Sequence, residues 1–152
     1  MSKRFKHWCD NKHNKPDTKF TIEELAKDIQ ATVEKYLEVD VPKNTDSYSR
    51  AYIHDRMLSI NHSAEMIKVL VIDANSQHPY TEQDFNDRYT KWKGARGWCF
   101  RLNSQLNRIA EVLYQTKNIR KYTRLAGEVN ELSNRIKRNI ILDNERRAKL
   151  NL

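Results

Sequence analysis

Residues 53–74 read IHDRMLSINHSAEMIKVLVIDA, and the apolar positions within them decide the fold. Ile53, Met57, Ile60, Ala64, Ile67, Val71 and Ala74 step by four and three without a break. That spacing lays one apolar seam along a helix, as in an antiparallel bundle or a coiled coil. Leu58, Met66, Val69, Leu70 and Ile72 widen the stripe. A helix apolar over so much of its girth is expected to touch more than one neighbour and to sit centrally. Its start is expected near Ser47 or Ser49.

Three more helices flank this one. Upstream, Thr21 with Glu24 forms a capping-box pattern, flanked by Phe20 and Leu25 as a hydrophobic staple. Ile22, Leu25, Ile29, Val33, Tyr36 and Leu37 follow at helical spacing, and Pro42 lies just past an expected end near Val39. Downstream, residues 75–79 form a polar connector. Thr81 with Asp84 then repeats the box, with Tyr80 and Phe85 as its staple. The third helix takes Phe85, Tyr89, Trp92, Cys99, Leu102, Leu106, Ile109 and Leu113 as its apolar side. Gly94 and Gly97 fall inside it, each costing about 1 kcal/mol relative to Ala. The period resumes in phase beyond them, which predicts a continuous or kinked helix. A turn over Gln115 to Asn118 leads to the fourth helix, carried by Ile119, Tyr122, Ala126, Val129, Leu132, Ile136 and Ile140 to about Asp143.

The fold class expected is therefore all-α, an up-down-up-down antiparallel four-helix bundle over residues 19–143. A basic, flexible N-terminal extension (1–18) precedes it, and a basic, fraying C-terminal tail (144–152) follows. Composition agrees. With 38% hydrophobic and 32% charged residues, the 152-residue chain suits long helices with narrow apolar stripes in one domain. Three Gly and three Pro are too few for a turn-rich β-sandwich or barrel. No apolar run reaches membrane-spanning length, and the basic N-terminus has no apolar segment behind it. Two cysteines make no disulfide framework, so a cytoplasmic setting is expected.

Charge is unevenly distributed. Residues 88–152 hold 16 Lys/Arg against 5 Asp/Glu, whereas residues 16–87 hold 7 against 14. The net charge of +8 thus hides a basic half and an acidic half. Such polarity points to a polyanion partner, to a head-to-tail self-contact, or to charged outer faces alone. In the basic half, Arg101 and Arg108 lie seven apart on one face of the third helix. Lys117, Lys121 and Arg124 follow i, i+4, i+7 spacing on and just before the fourth, with Arg120 beside them and Arg135, Lys137 and Arg138 further along. Packed side by side, the two helices are expected to fuse these into one stripe. It would meet a phosphate backbone in a salt-sensitive, weakly sequence-selective manner.

No catalytic constellation competes with this reading, and an enzyme is not expected. No Glu is followed three residues later by His, as a di-iron bundle requires, and no phosphate-cradling loop or hydrolase motif is present. Cys99 sits on an apolar side and reads as a structural thiol. His7, Cys9 and His13, with Asp10, are of zinc-ligand type, but their spacing fits no standard finger, so neither metal nor cofactor is expected. His54 and His62 are eight apart, too far for local chelation. Trp8, Trp92 and Trp98 are able to stack on bases, although Trp92 fits the core and Trp98 a helix seam.

From Arg50 to Arg138 the chain resembles the accessory variability determinant (Avd) proteins of diversity-generating retroelements. These are related to the four-helix-bundle proteins encoded in ribosomal intervening sequences. The resemblance lies in Arg50-Ala51-Tyr52-Ile53, Ala64-Glu65-Met66-Ile67, Ala95-Arg96-Gly97-Trp98-Cys99-Phe100-Arg101-Leu102, Ala126-Gly127-Glu128-Val129 and Ile136-Lys137-Arg138. It implies a small basic bundle that forms a homopentameric ring, partners a reverse transcriptase and binds RNA or DNA without catalysis. It also implies nucleic-acid contacts at Arg96, Arg101 and the fourth-helix cluster. The N-terminal extension and the acidic first half depart from the family pattern. The alternative is an oligomeric interaction module that binds a partner protein without nucleic acid.

Overall fold

The computed structural model describes residues 21–37, 46–112 and 119–152. Among them are four helices and no strand: α1 (Ile22–Leu37), α2 (Ser47–Ser76), α3 (Glu82–Val112) and α4 (Ile119–Lys149). Each helix packs on its successor, and α1 also packs on α4, so the four enclose a single core. The expected end near Val39, the Phe20 staple, Leu113, the turn before α4, Trp8, Lys117 and the His7, Cys9, His13 cluster lie outside the described residues.

Capping chemistry sets the helix starts. Thr21 N–H donates to Glu24 Oε2 at 3.0 Å while Glu24 N–H donates to Thr21 Oγ1 at 3.1 Å. At α3, Thr81 N–H and Tyr80 N–H both donate to Asp84 Oδ2 at 3.0 Å, and Asp84 N–H returns a bond to Thr81 Oγ1 at 3.2 Å. Two backbone donors are thereby satisfied at the first box and three at the second. The expected Tyr80–Phe85 staple is not realised. Tyr80 is 77% exposed, whereas Pro79 before it is buried.

All seven seam positions of α2 are buried, together with Leu25, Ile29 and Val33 of α1, Trp92, Cys99, Leu102 and Leu106 of α3, and Tyr122, Val129, Leu132 and Ile136 of α4. α3 is helical straight through Gly94 and Gly97. A Cβ at Gly94 would lie 3.4 Å from Leu70 Cδ1, at the near edge of van der Waals contact with α2, whereas Gly97 faces open space.

Three expectations need correction. Tyr89 is exposed, because Arg88 takes the core-facing position of that turn. Leu58 and Val69 also face outward, so the broad apolar stripe of α2 is not wholly covered by its two main neighbours, α1 and α3. Third, α4 does not fray at Asp143 but continues to Lys149. Arg147 donates to Glu82 Oε1 at 2.8 Å and to Asn86 Oδ1 at 2.9 Å, holding the last turns against the start of α3. Asn151, at φ 60°, then closes the helix: its N–H reaches the Ala148 carbonyl and that of Leu152 the Arg147 carbonyl, a Schellman stop.

Arg88 and Asp143 form the main polar lock, both buried. Arg88 Nε and Nη2 donate to the two Asp143 carboxylate oxygens at 2.9 and 3.0 Å. Its Nη1 donates to the carbonyls of Ala74 and Gln77 at 2.7 and 2.6 Å. One guanidinium thus fastens the end of α2 and the late turns of α4 to the start of α3.

Candidate nucleic-acid interface

Away from the core, α3 carries Tyr89, Lys93, Arg96, Phe100 and Asn103 at offsets of 0, 4, 7, 11 and 14. α4 carries Asn130, Asn134, Lys137, Ile141 and Asn144 at the same offsets. Each set falls on one side of its helix. The two sets face one another at both ends. Asn103 Nδ2 donates to Asn130 Oδ1 at 2.7 Å, and Tyr89 and Asn144 line one cleft. The ten positions therefore border a single groove between α3 and α4, about 21 Å long at 1.5 Å per residue.

Its chemistry is distinctive. Three positions are cationic, two aromatic, four are primary amides and one is Ile141; none is a carboxylate. Phe100 is 54% exposed and Tyr89 46%. Each ring has a cation over it. The Arg96 guanidinium lies 5.1 Å from the Phe100 centroid and Lys93 Nζ lies 5.9 Å from that of Tyr89. Such contacts are worth about 0.5–1 kcal/mol when exposed, and they hold cation and ring together at the surface. At the Tyr89 end the groove opens into a cleft of about 330 Å³, walled by Phe85, Asn86, Tyr89, Ile140, Asp143, Asn144 and Arg147. The Asp143 carboxylate there is already engaged by Arg88 and lies 3.9 Å from Arg146.

The cations expected from sequence do not converge on one stripe. Arg96 and Lys137 border the groove. Arg101 and Arg108 lie on the other flank of α3. Arg101 stacks 5.1 Å over Trp98, whose ring meets His62 of α2, and Arg108 lines a small pocket with Tyr52 and Arg56 of α2. Lys121 turns toward α1, 4.3 Å over the Tyr36 ring. Arg120 and Arg124 are exposed on α4, Arg135 is half-buried, and Arg138 lies 3.5 Å from Glu131. Sequence reasoning missed Lys93, Tyr89, Phe100 and the four amides. The signal for them was the shared offset pattern on two neighbouring helices.

Cys99 is buried, and burial pushes its thiol up to about 12, with the nearby Arg96 charge pulling weakly the other way. It stays a thiol. Among the described residues no group of three His, Cys, Asp or Glu is placed to hold a metal ion, and no helix is long and apolar enough to cross a membrane. Comparison with protein-family models, curated proteins and solved structures finds no match to this chain.

Proposed function

We propose that the chain is a non-enzymatic nucleic-acid-binding accessory protein that assists a reverse transcriptase in a diversity-generating retroelement. The observation that carries the binding part is the α3–α4 groove, where ten positions supply a formal +3 with no carboxylate. Cations there neutralise phosphates and release counterions. The amides and rings offer hydrogen bonds and stacking faces to bases. Arg96 and Lys137 are the phosphate contacts of this reading, joined by Lys93. The transcriptase partner, the homopentameric assembly and the absence of catalysis rest on the Avd resemblance over residues 50–138. The cytoplasmic setting rests on the two-cysteine composition.

The reading includes an up-down-up-down antiparallel chain path. Contacts that join the end of α2 to the start of α3, and the start of α3 to the end of α4, support it. A binding series with RNA and duplex DNA between about 50 and 200 mM salt tests the function. Affinity should fall steeply and linearly on logarithmic axes. Affinity absent at low salt, or flat with salt, would contradict it.

A second reading has one observation in its favour. Leu58 and Val69, 52% and 42% exposed, sit on the outer side of α2 with Glu65 between them, an apolar and acidic face fit for a protein contact. Under it the chain is an oligomeric interaction module. Sizing with light scattering at two ionic strengths would then give a salt-resistant oligomer indifferent to RNA.

A further inference from the structure

The groove holds more than a polyanion needs. Duplex backbones are met by cations and hydrogen-bond donors, whereas paired bases are stacked inside and offer no free face to an exposed ring. Here two exposed rings, Tyr89 and Phe100, stand about 16 Å apart along α3, each beside its own cation. Arg96 covers one side of Phe100, which makes a ring-plus-guanidinium platform of the kind on which unstacked bases rest. Next to Tyr89 the surface opens into the 330 Å³ cleft, near the lower end of the roughly 300–1,000 Å³ range of small-ligand sites. Its walls combine the Tyr89 ring with the amides of Asn86 and Asn144. Asn86 already accepts a bond from Arg147, so its amide nitrogen is held facing away from that guanidinium.

We propose that the α3–α4 groove is a single-strand site. One base stacks on the Phe100–Arg96 platform, another enters the cleft against Tyr89, and Lys93, Lys137 and the Arg96 N–H groups hold the intervening phosphates. The proposal rests on the nucleic-acid-binding function above and names its substrate class: unpaired RNA or DNA. Asn144, whose amide both donates and accepts, hydrogen-bonds the edge of whichever base occupies the cleft. Sequence preference is weak, because every base has a π-face.

The test compares a fluorescein-labelled uridine homopolymer, its deoxythymidine counterpart and a duplex of equal length by anisotropy at fixed salt. Both single strands should bind more tightly than the duplex. Phe100→Leu keeps an apolar side chain but removes the platform. It should weaken single-strand binding about 5- to 150-fold while leaving the slope against salt and the duplex affinity unchanged. Phe100→Tyr should restore binding, and Tyr89→Leu should behave like Phe100→Leu. Both rings are solvent-exposed, so thermal unfolding of the variants should match the parent. Duplex binding equal to or tighter than single-strand binding, or a Phe100→Leu variant that binds uridine normally, overturns the single-strand site and leaves the accessory function standing. No binding to any of the three overturns the function itself.

Discussion

Arg88 shows how much one side chain carries in this fold. It is a cation in a core-facing position, made tolerable by two carboxylate bonds and two carbonyl bonds. Removing one member of such a pair leaves the other buried and uncompensated, at a cost of about 3–5 kcal/mol. An Arg88→Met variant should therefore lower the urea midpoint sharply with little change in slope. Adding Asp143→Leu should recover part of the loss, since the stranded carboxylate is gone. Cys99 makes the opposite case, an inert group in an apolar place. With its thiol raised to about 12 by burial, it should react with iodoacetamide only as fast as the chain opens. Rapid alkylation of Cys99 at pH 8, in a native protein carrying Cys9→Ser, would contradict that.

The same residues explain what the sequence hid. The core positions of α3 run through residues 85, 88, 92, 95, 99, 102, 106 and 109, and those of α4 reach 143. An apolar pattern skips Arg88 and Asp143, because each reads as a surface charge until its partner is known. The apolar pattern therefore places Tyr89 inward and ends α4 at Asp143, whereas Tyr89 is exposed and α4 continues to Lys149. The α2 seam had no such charge, and all seven of its positions are buried.

Among the elements, α3 gives the clearest tests. Gly97 is exposed, helical and faces open space, so Gly97→Ala should add up to about 1 kcal/mol of stability and raise Tm by roughly 2–4 °C. Gly94→Ala should give less, because its new methyl meets Leu70. At the N-terminus of α3, the amides of Tyr80 and Thr81 favour the Asp84 carboxylate and hold its pKa below the ordinary 3.8. The stabilisation is present above the ordinary value and is lost as pH falls through the lowered one. Asp84→Ala should then lower Tm at neutral pH, and the gap to the parent should close in acid. The box was legible from Thr81 and Asp84 alone, since its chemistry lies within four residues. The Schellman stop at Asn151 was equally local, but the basic composition beyond Asp143 obscured it.

For the whole molecule, the excess of positive charge after residue 88 was plain in the sequence, but its address was not. Which cations share a surface depends on how α3 and α4 are rotated against each other, and core packing sets that rotation. The structure separates the cations. Arg101 and Arg108 look toward α2, Lys121 toward α1, and Lys93, Arg96 and Lys137 border one groove whose ten flanking positions carry no carboxylate. The account stands on that groove being the nucleic-acid surface. The direct measurement is RNA affinity across a salt series for two variants of equal charge change. One carries Lys93→Gln, Arg96→Gln and Lys137→Gln; the other carries Arg56→Gln, Arg101→Gln and Arg108→Gln. The groove variant should lose most of its affinity, with a logarithmic salt slope shallower by about 2, at roughly 0.7 per single-strand phosphate contact. The flank variant should keep the parent slope. Equal losses in both variants, or an unchanged groove variant, would contradict the account.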